Sequence, residues 1–456
     1  MTSLRAYIIT RISLTIPMIF ILVTLVFLIL RVMPGDPVRA TIRPGSAPEY
    51  IQEIRHDLGL DKPLFLNFRG SWAGALSSSV VLHDGPSSDE APALILEKGK
   101  KLSVTDRVTT PEGDWVRLAS GVGFEGLISP QRLDWLRRVS AGVKVLEETT
   151  VDDQRWVRVE IPEREIEGWA PVAELKIRID IFDAQYFNYL FSLLRLDLGT
   201  SIAPVRGRSV MGDLKEKFPA TLELSIFSMI ITVVIGVFSG TYAAQRRRSA
   251  ADYGFRIYSI VIYALPVFWL GLMLQLIFGV RLGWLPVYGR IDTRMAPETI
   301  TGLFVLDSIL TANPASLISA IKHLILPSLT LGLYLSGVFT RLTRGNMLDV
   351  LQQDFITAAR ARGLPERVVV YKHALKNAFI PILTMIGLQF ALLLAGAVLT
   401  ETTFSWPGMG RFLVDRISYR DFPSIQGGVV FFALLVMAVS LIVDIIYARL
   451  DPRIRY

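Results

Sequence analysis

The chain has 456 residues, 51% of them hydrophobic, and a positive mean hydropathy, which excludes an ordinary soluble domain with a solvated surface. It contains no cysteine, so disulfides, thiolate zinc sites and a cysteine nucleophile are excluded. The net charge of +7 gathers at the ends of apolar runs, where cations set membrane topology, so nucleic acid is not an expected partner.

Residues 9–32 form an apolar run that reaches the roughly 20 residues a bilayer requires. No small-residue cleavage site follows it, so it is expected to be a retained first span, entered past Arg5 and Arg11 and kinked at Pro17. RVMPGDP, residues 31–37, ends the span, since Pro-Gly-Asp-Pro cannot continue a helix. From about residue 69 to 179 the pattern changes to alternating apolar and polar residues, which predicts half-buried strands. A weak internal repeat runs through this stretch. EKGKKLSVTDRVTTPEGDWVRLASGVGFEGLISPQRL is followed by SAGVKVLEETTVDDQRWVRVEIPEREIEGWAPVAEL, each with a polar turn, a Trp-Val-Arg strand and a glycine-containing final strand. Trp115, Trp156 and Trp169 are expected to be core or groove aromatics, with core packing favoured by the area a tryptophan buries.

A second span is expected over residues 218–244, closed by Arg246, Arg247 and Arg248, which mark a cytoplasmic loop. The third covers about 255–280 with LPVFW in its middle, and Trp284 and Tyr288 suit a membrane interface. Residues 290–322 make an outer loop with little readable chemistry. The fourth span starts at His323 and exits at Arg341 and Arg344; the fifth covers 377–399; the sixth covers 429–447. Glu223 and Asp444 lie near span ends, where a translocation-path or inter-subunit role and an interfacial position with a helix-end partner are equally compatible with the pattern. Gln275, Asn346 and Gln389 are polar candidates for helix–helix hydrogen bonds.

Between the fourth and fifth spans lies a polar, basic stretch, residues 354–381. Read locally, 355–362 is a short helix with Ala358, Ala359 and Ala361, cations Arg360 and Arg362 in its last turn, and Gly363 as its stop. Leu364 and Pro365 restart the helix, with proline at the first helical position. Basicity alone fits a cationic loop held at the lipid surface. The order of the residues resembles the cytoplasmic "EAA" loop of the permease subunits of ATP-driven importers, in which alanines, a glycine and an apolar stretch closed by proline match Ala358, Ala359, Gly363 and Pro381. Thr357 stands where that family's nominal glutamate would be, as in dipeptide/oligopeptide permeases with a TARAKGL-like core. RVMPGDP, LGLDKPLFLNF (58–68), QYFNYLFSLLRLDLGTSI (185–202), ATLELS (220–225), ETTFSWPGMG (401–410) and YARLDPRIR (447–455) are similar to the same family.

The resemblance implies an all-α polytopic membrane protein with six transmembrane helices in a type I importer permease fold. A small all-β module, similar to two bacterial SH3-like repeats, would be inserted between the first and second spans, outside the cell. The expected domains are residues 1–68, the insert 69–179, and a core permease 180–456, with both termini cytoplasmic. It further implies a related permease partner in a heterodimer, ATP-binding subunits and an extracytoplasmic solute-binding protein, with a cell-wall or complex contact open for the insert. A coupling helix would dock on the ATPase, with Phe355, Leu364 and the alanines packing and Arg360, Arg362 and Arg367 at a charged rim. No catalytic site is expected: His56, His83, His323 and His373 occur singly, and GxxxxGK[ST] and GxSxG are absent. No cofactor or metal is expected, and no residue is assigned to solute binding. A membrane-anchored envelope-binding or sensor protein remains an alternative, as does the same permease type carrying nickel complexes, glutathione or another solute.

Overall fold

The computed structural model describes residues 4–32, 62–66, 72–75, 79–97, 100–119, 124–129, 144–151, 154–161, 167–171, 175–178, 181–394 and 397–450. Most of RVMPGDP and the C-terminal Arg453 and Arg455 lie outside these residues, as do the side chains of Trp156, Trp169 and Asp444. The chain divides into two compact units, residues 42–196 and residues 1–41 with 197–456.

The helical unit opens with α1 (Leu4–Val32), which runs through Pro17 and buries Val23, Val26 and Phe27. In the other unit, ten strands form one antiparallel sheet: β1 (Trp72–Ala75), β2 (Ser79–His83), β3 (Pro92–Glu97), β4 (Leu102–Thr110), β5 (Gly113–Ala119), β6 (Phe124–Ile128), β7 (Lys144–Val151), β8 (Gln154–Ile161), β9 (Glu167–Pro171) and β10 (Leu175–Arg178). The repeat seen in the sequence is visible as two hairpins. The first, β4–β5, closes at Thr110↔Gly113 and shifts register between Val104 and Asp106; the second, β7–β8, closes at Val151↔Gln154 and shifts between Val145 and Glu147. Val116 and Leu118 of the first hairpin and Val157 and Val159 of the second fill one core with Leu82, Leu94 and Ile128.

The third strand of each repeat does not return to its own hairpin. Instead β6 pairs with β8 of the second repeat, and β9 pairs with β5 of the first. The copies are therefore not two self-contained small barrels, because each supplies an edge to the other. Between them β2 and β3 pair with each other and flank the exchanged strands. Trp115 is buried and meets the His83 ring edge-on.

The unit is larger than residues 69–179. Lys62 binds Asp183 at 2.7 Å, and the amides of Gln185 and Tyr186 donate to Pro63 and Leu64 carbonyls at 2.9 and 3.0 Å, so α2 (Gln185–Leu194) is tied to the segment that enters the sheet. Entry and exit of the β-rich stretch are thus neighbours, the arrangement that lets a segment sit within a loop.

The helical unit continues with α3 (Val210–Gln245), α4 (Ala250–Ala264) and α5 (Val267–Leu274), the last running into a π-helical turn at Gln275–Arg281. Then come α6 (Phe304–Leu310), α7 (Pro314–Leu351), α8 (Asp354–Ala361), α9 (Glu366–Val368), a π-helical turn at Val369–Ala374, α10 (Leu375–Leu394), α11 (Val398–Thr403), α12 (Met409–Ser418) and α13 (Phe422–Leu450). Among the described residues, four helical stretches are long and apolar enough to cross a membrane: Val210–Gln245, Pro314–Leu351, Glu366–Leu394 and Phe422–Val443.

The segment expected to be the third span is broken into α4 and α5, bent by 102°. Leu265, before proline, is extended at ψ 134°, and Pro266 has no amide to carry the helix on. The fourth helix begins nine residues before His323, at Pro314, with Asn313 accepting from the Ser316 amide as its cap.

Helices α3 and α7 pack at backbone distance. A Cβ on Gly240 would lie 2.6 Å from Thr343 Cβ and 2.7 Å from the Thr340 carbonyl, and one on Gly236 would lie 2.4 Å from Phe339 Cβ. Ser239 and Thr340 hydroxyls share a 2.7 Å hydrogen bond there. Small residues and interhelical hydroxyl bonds are what hold helices together where lipid removes the hydrophobic drive.

Candidate coupling site

The polar stretch between α7 and α10 is a short helix, a left-handed stop and a second helix. Asp354 begins α8, and Gly363 follows its C-cap, Arg362, at φ +75°. The Gly363 amide donates to the Arg360 carbonyl at 2.9 Å and the Leu364 amide to Ala359 at 3.4 Å, the paired closure of a Schellman end. A Cβ on Gly363 would meet nothing within 4 Å, so only its backbone conformation requires glycine. Pro365 differs from expectation by one position. At ψ 141° it is the extended N-cap, and the helix restarts at Glu366.

The element has an anchored face and a free face. Ile356, Ala359, Val369, Val370 and Ala374 are buried with Ala244 of α3 and Met347 and Val350 of α7. Ala359 therefore packs on its own chain. Phe355, Ala358, Leu364, Arg362 and Arg367 are exposed on the other side, with Phe355 at 39% and Leu364 at 36%. Thr357 is exposed beside them. Arg360 reaches Glu366 through two bonds, Nη2–Oε1 at 2.8 Å and Nε–Oε2 at 3.2 Å, closing the bend from outside. The Arg360 hydrogen bond holds the Glu366 carboxyl below the usual carboxylate range. Glu366 had no role in the sequence reading, although an acidic residue six places after Arg360 across a Gly-Leu-Pro bend was its visible sign. Pro381 lies inside α10 and is exposed, one helix away from the bend.

At the other end of α3, ATLELS and ETTFSWPGMG meet. Thr221 Oγ1 donates to Glu401 Oε1 at 2.7 Å and accepts from the Met409 amide at 2.8 Å. The Arg411 amide donates to Glu401 Oε2 at 2.9 Å, so Glu401 caps α12. Trp406, fully buried, donates to the Ala220 carbonyl at 2.9 Å. A Cβ on Gly408 would fall 2.3 Å from Glu401 Oε1, which is why glycine follows the proline. The two stretches thus form a packed junction.

Glu223 receives Arg290 at 2.7 and 3.0 Å and the Val305 amide at 2.8 Å, with both charged side chains buried. A helix-end partner and an arginine from the supposedly uninformative outer loop therefore account for its carboxylate. Gln275 Nε2 donates to the Val287 and Thr403 carbonyls, tying α5 to α11. Near the start of α4, Asp252 takes Arg344 through two bonds at 2.6 and 2.9 Å. Among the described residues no group of His, Cys, Asp or Glu could hold a metal ion.

Apolar helices of membrane-crossing length define a multi-pass membrane protein. Residues 232–456 match the family described as binding-protein-dependent transport system inner membrane component, and residues 4–108 match its N-terminal family. The chain belongs to this permease family. The di/tripeptide transport system permease protein DppB of Pseudomonas aeruginosa is 45% identical over 60% of this chain and 80% of its own. The glutathione transport system permease protein GsiC of Salmonella choleraesuis is 39% identical over 60% of this chain and 79% of its own. A chain of the MetNI methionine ABC transporter in inward-facing form resembles 53% of this chain at 15% identity with a TM-score of 0.38.

Proposed function

We propose that this chain is the permease subunit of an ATP-driven importer of peptides, and that residues 354–374 receive the work of separate ATP-hydrolysing subunits. The observation that carries the reading is the two-faced element. One face is locked into the permease by Ile356, Val369 and Val370, while the other offers Phe355, Ala358, Leu364, Arg362 and Arg367 to a partner. An ATPase that draws on this free face pulls α3 and α7 with it through Ala244 and Met347. A relative named as a di/tripeptide transport system permease, matched over 80% of its length, supports the peptide cargo.

Six spans follow if α1, the bent α4–α5 pair and the four long helices each cross once, in a type I importer arrangement. Cytoplasmic placement of the triple arginine then puts both termini inside and the β-rich unit outside. A related permease subunit completes the pathway, a solute-binding protein delivers cargo, and alternation between two packings gates it. The β-rich unit serves as a spacer or as a contact for the envelope or the complex.

Gly363→Val tests the coupling. A β-branched residue at φ +75° costs at least about 1 kcal/mol and opens the bend. The variant complex is expected to insert and hydrolyse ATP while peptide uptake falls. Unchanged uptake sinks the docking role. Glutathione rather than peptide accumulation in vesicles holding the intact importer would replace the cargo and leave the coupling reading standing.

A further inference from the structure

Helix α7 carries two arginines three residues apart with opposite surroundings. Arg344 is matched by Asp252. Arg341 is exposed, and among the described residues no carboxylate pairs with it. Its guanidinium carbon sits 5.2 Å above the Tyr263 ring of α4, and that ring stacks on Tyr334 with centroids 5.4 Å apart and planes 22° from parallel. Tyr258 of α4 fixes the same crossing through a 2.6 Å bond to Ser336.

The depth of Arg341 follows from the α3–α7 contacts. Gly236 lies against Phe339 and Gly240 against Thr343, so Arg341 is level with the turn between the two glycines. That level is about 12 Å along the helix from Arg246, taking 1.5 Å per residue. Here the side chain points the wrong way for a lipid headgroup. An arginine at this depth lowers its cost by snorkelling toward the nearer surface, the end that carries Arg246, Arg247 and Arg248. Arg341 instead reaches the Tyr263 ring, which stacks on Tyr334, seven residues before Arg341 on α7 and so deeper. An unpaired guanidinium held inward on an aromatic shelf marks a wet path with an anionic visitor, because hydrocarbon does not tolerate it.

We propose that Arg341, backed by Tyr263 and Tyr334, is a way-station for the C-terminal carboxylate of a peptide crossing the membrane. This rests on the peptide-import reading above. The guanidinium fork fits a carboxylate through two parallel bonds. The tyrosine faces present a flat apolar wall to the adjoining side chain and leave its identity open, which suits a carrier of many peptides.

The test uses the complete importer with its binding protein in proteoliposomes, supplied at saturation with alanyl-alanine or its C-terminal amide. Arg341→Gln is expected to slow initial uptake of the free acid about tenfold, the cost of one charge-assisted carboxylate contact, and to leave the amide rate unchanged. Arg341→Lys should retain most of the free-acid rate, and Tyr263→Leu should lose part of it. An equal loss for acid and amide overturns the assignment. If the subunits also cease to co-purify, the guanidinium pairs with a partner subunit instead. Unaltered uptake in Arg341→Gln overturns it as well. Wild-type vesicles that accumulate neither compound overturn the peptide reading itself, and the assignment with it.

Discussion

Glu401 is a buried carboxyl held by hydroxyl and amide donors, and no basic side chain among the described residues pairs with it. Burial pushes its pKa above the ordinary value by more than the Thr221 hydroxyl and the Arg411 and Gly410 amides pull it down. A raised folded pKa means that the stabilisation is complete below the unfolded value and is lost as pH rises through the folded one. Glu401→Gln is therefore expected to flatten the fall in melting temperature between acid and neutral pH, measured in detergent. Glu401→Ala should destabilise at every pH by about 1–3 kcal/mol, since the Thr221 hydroxyl and the α12 amides lose their acceptor. None of this was legible at residue level in the sequence. Thr221 and Glu401 stand 180 positions apart, and a Pro-Gly after Phe-Ser-Trp reads as a turn whether or not a carboxylate fills the space beside the glycine.

The helix, stop and restart between α7 and α10 were legible because their determinants are local: three alanines, a glycine and a proline within eight residues. Which alanine stays exposed was not legible. That depends on α3 and α7, which bury Ala359 and leave Ala358 free. The same division predicts opposite phenotypes for adjacent residues. Ile356→Ala opens a cavity in a site with no exposure and should cost about 2–5 kcal/mol, seen as earlier proteolysis around residues 353–365 and reduced uptake. Phe355→Ala removes an exposed ring and should leave proteolysis unchanged while lowering uptake per ATP hydrolysed. The break in the third span was written in Pro266, yet the long apolar run around it masked the break, because hydropathy counts residues and is blind to a missing amide.

For the whole molecule, the sequence showed the β-rich unit as two similar halves, and the hairpins keep that similarity down to the position of the register shift. Strand exchange escaped notice because alternation fixes which face a strand buries and says nothing of its neighbour. Removing residues 140–175 is expected to leave β5 without β9 and β6 without β8, giving a protein that is degraded rather than a smaller unit. Replacing residues 69–179 by a short linker should preserve insertion, since the bonds that join residues 62–64 to 183–186 lie outside the cut. Immunoblots of membrane fractions distinguish the two.

The exchange also bears on how the unit yields to force. Fused in one polypeptide, the trade makes a mechanical knot of contacts: a pull on either half tears strands from both, and the domain gives way all at once or holds.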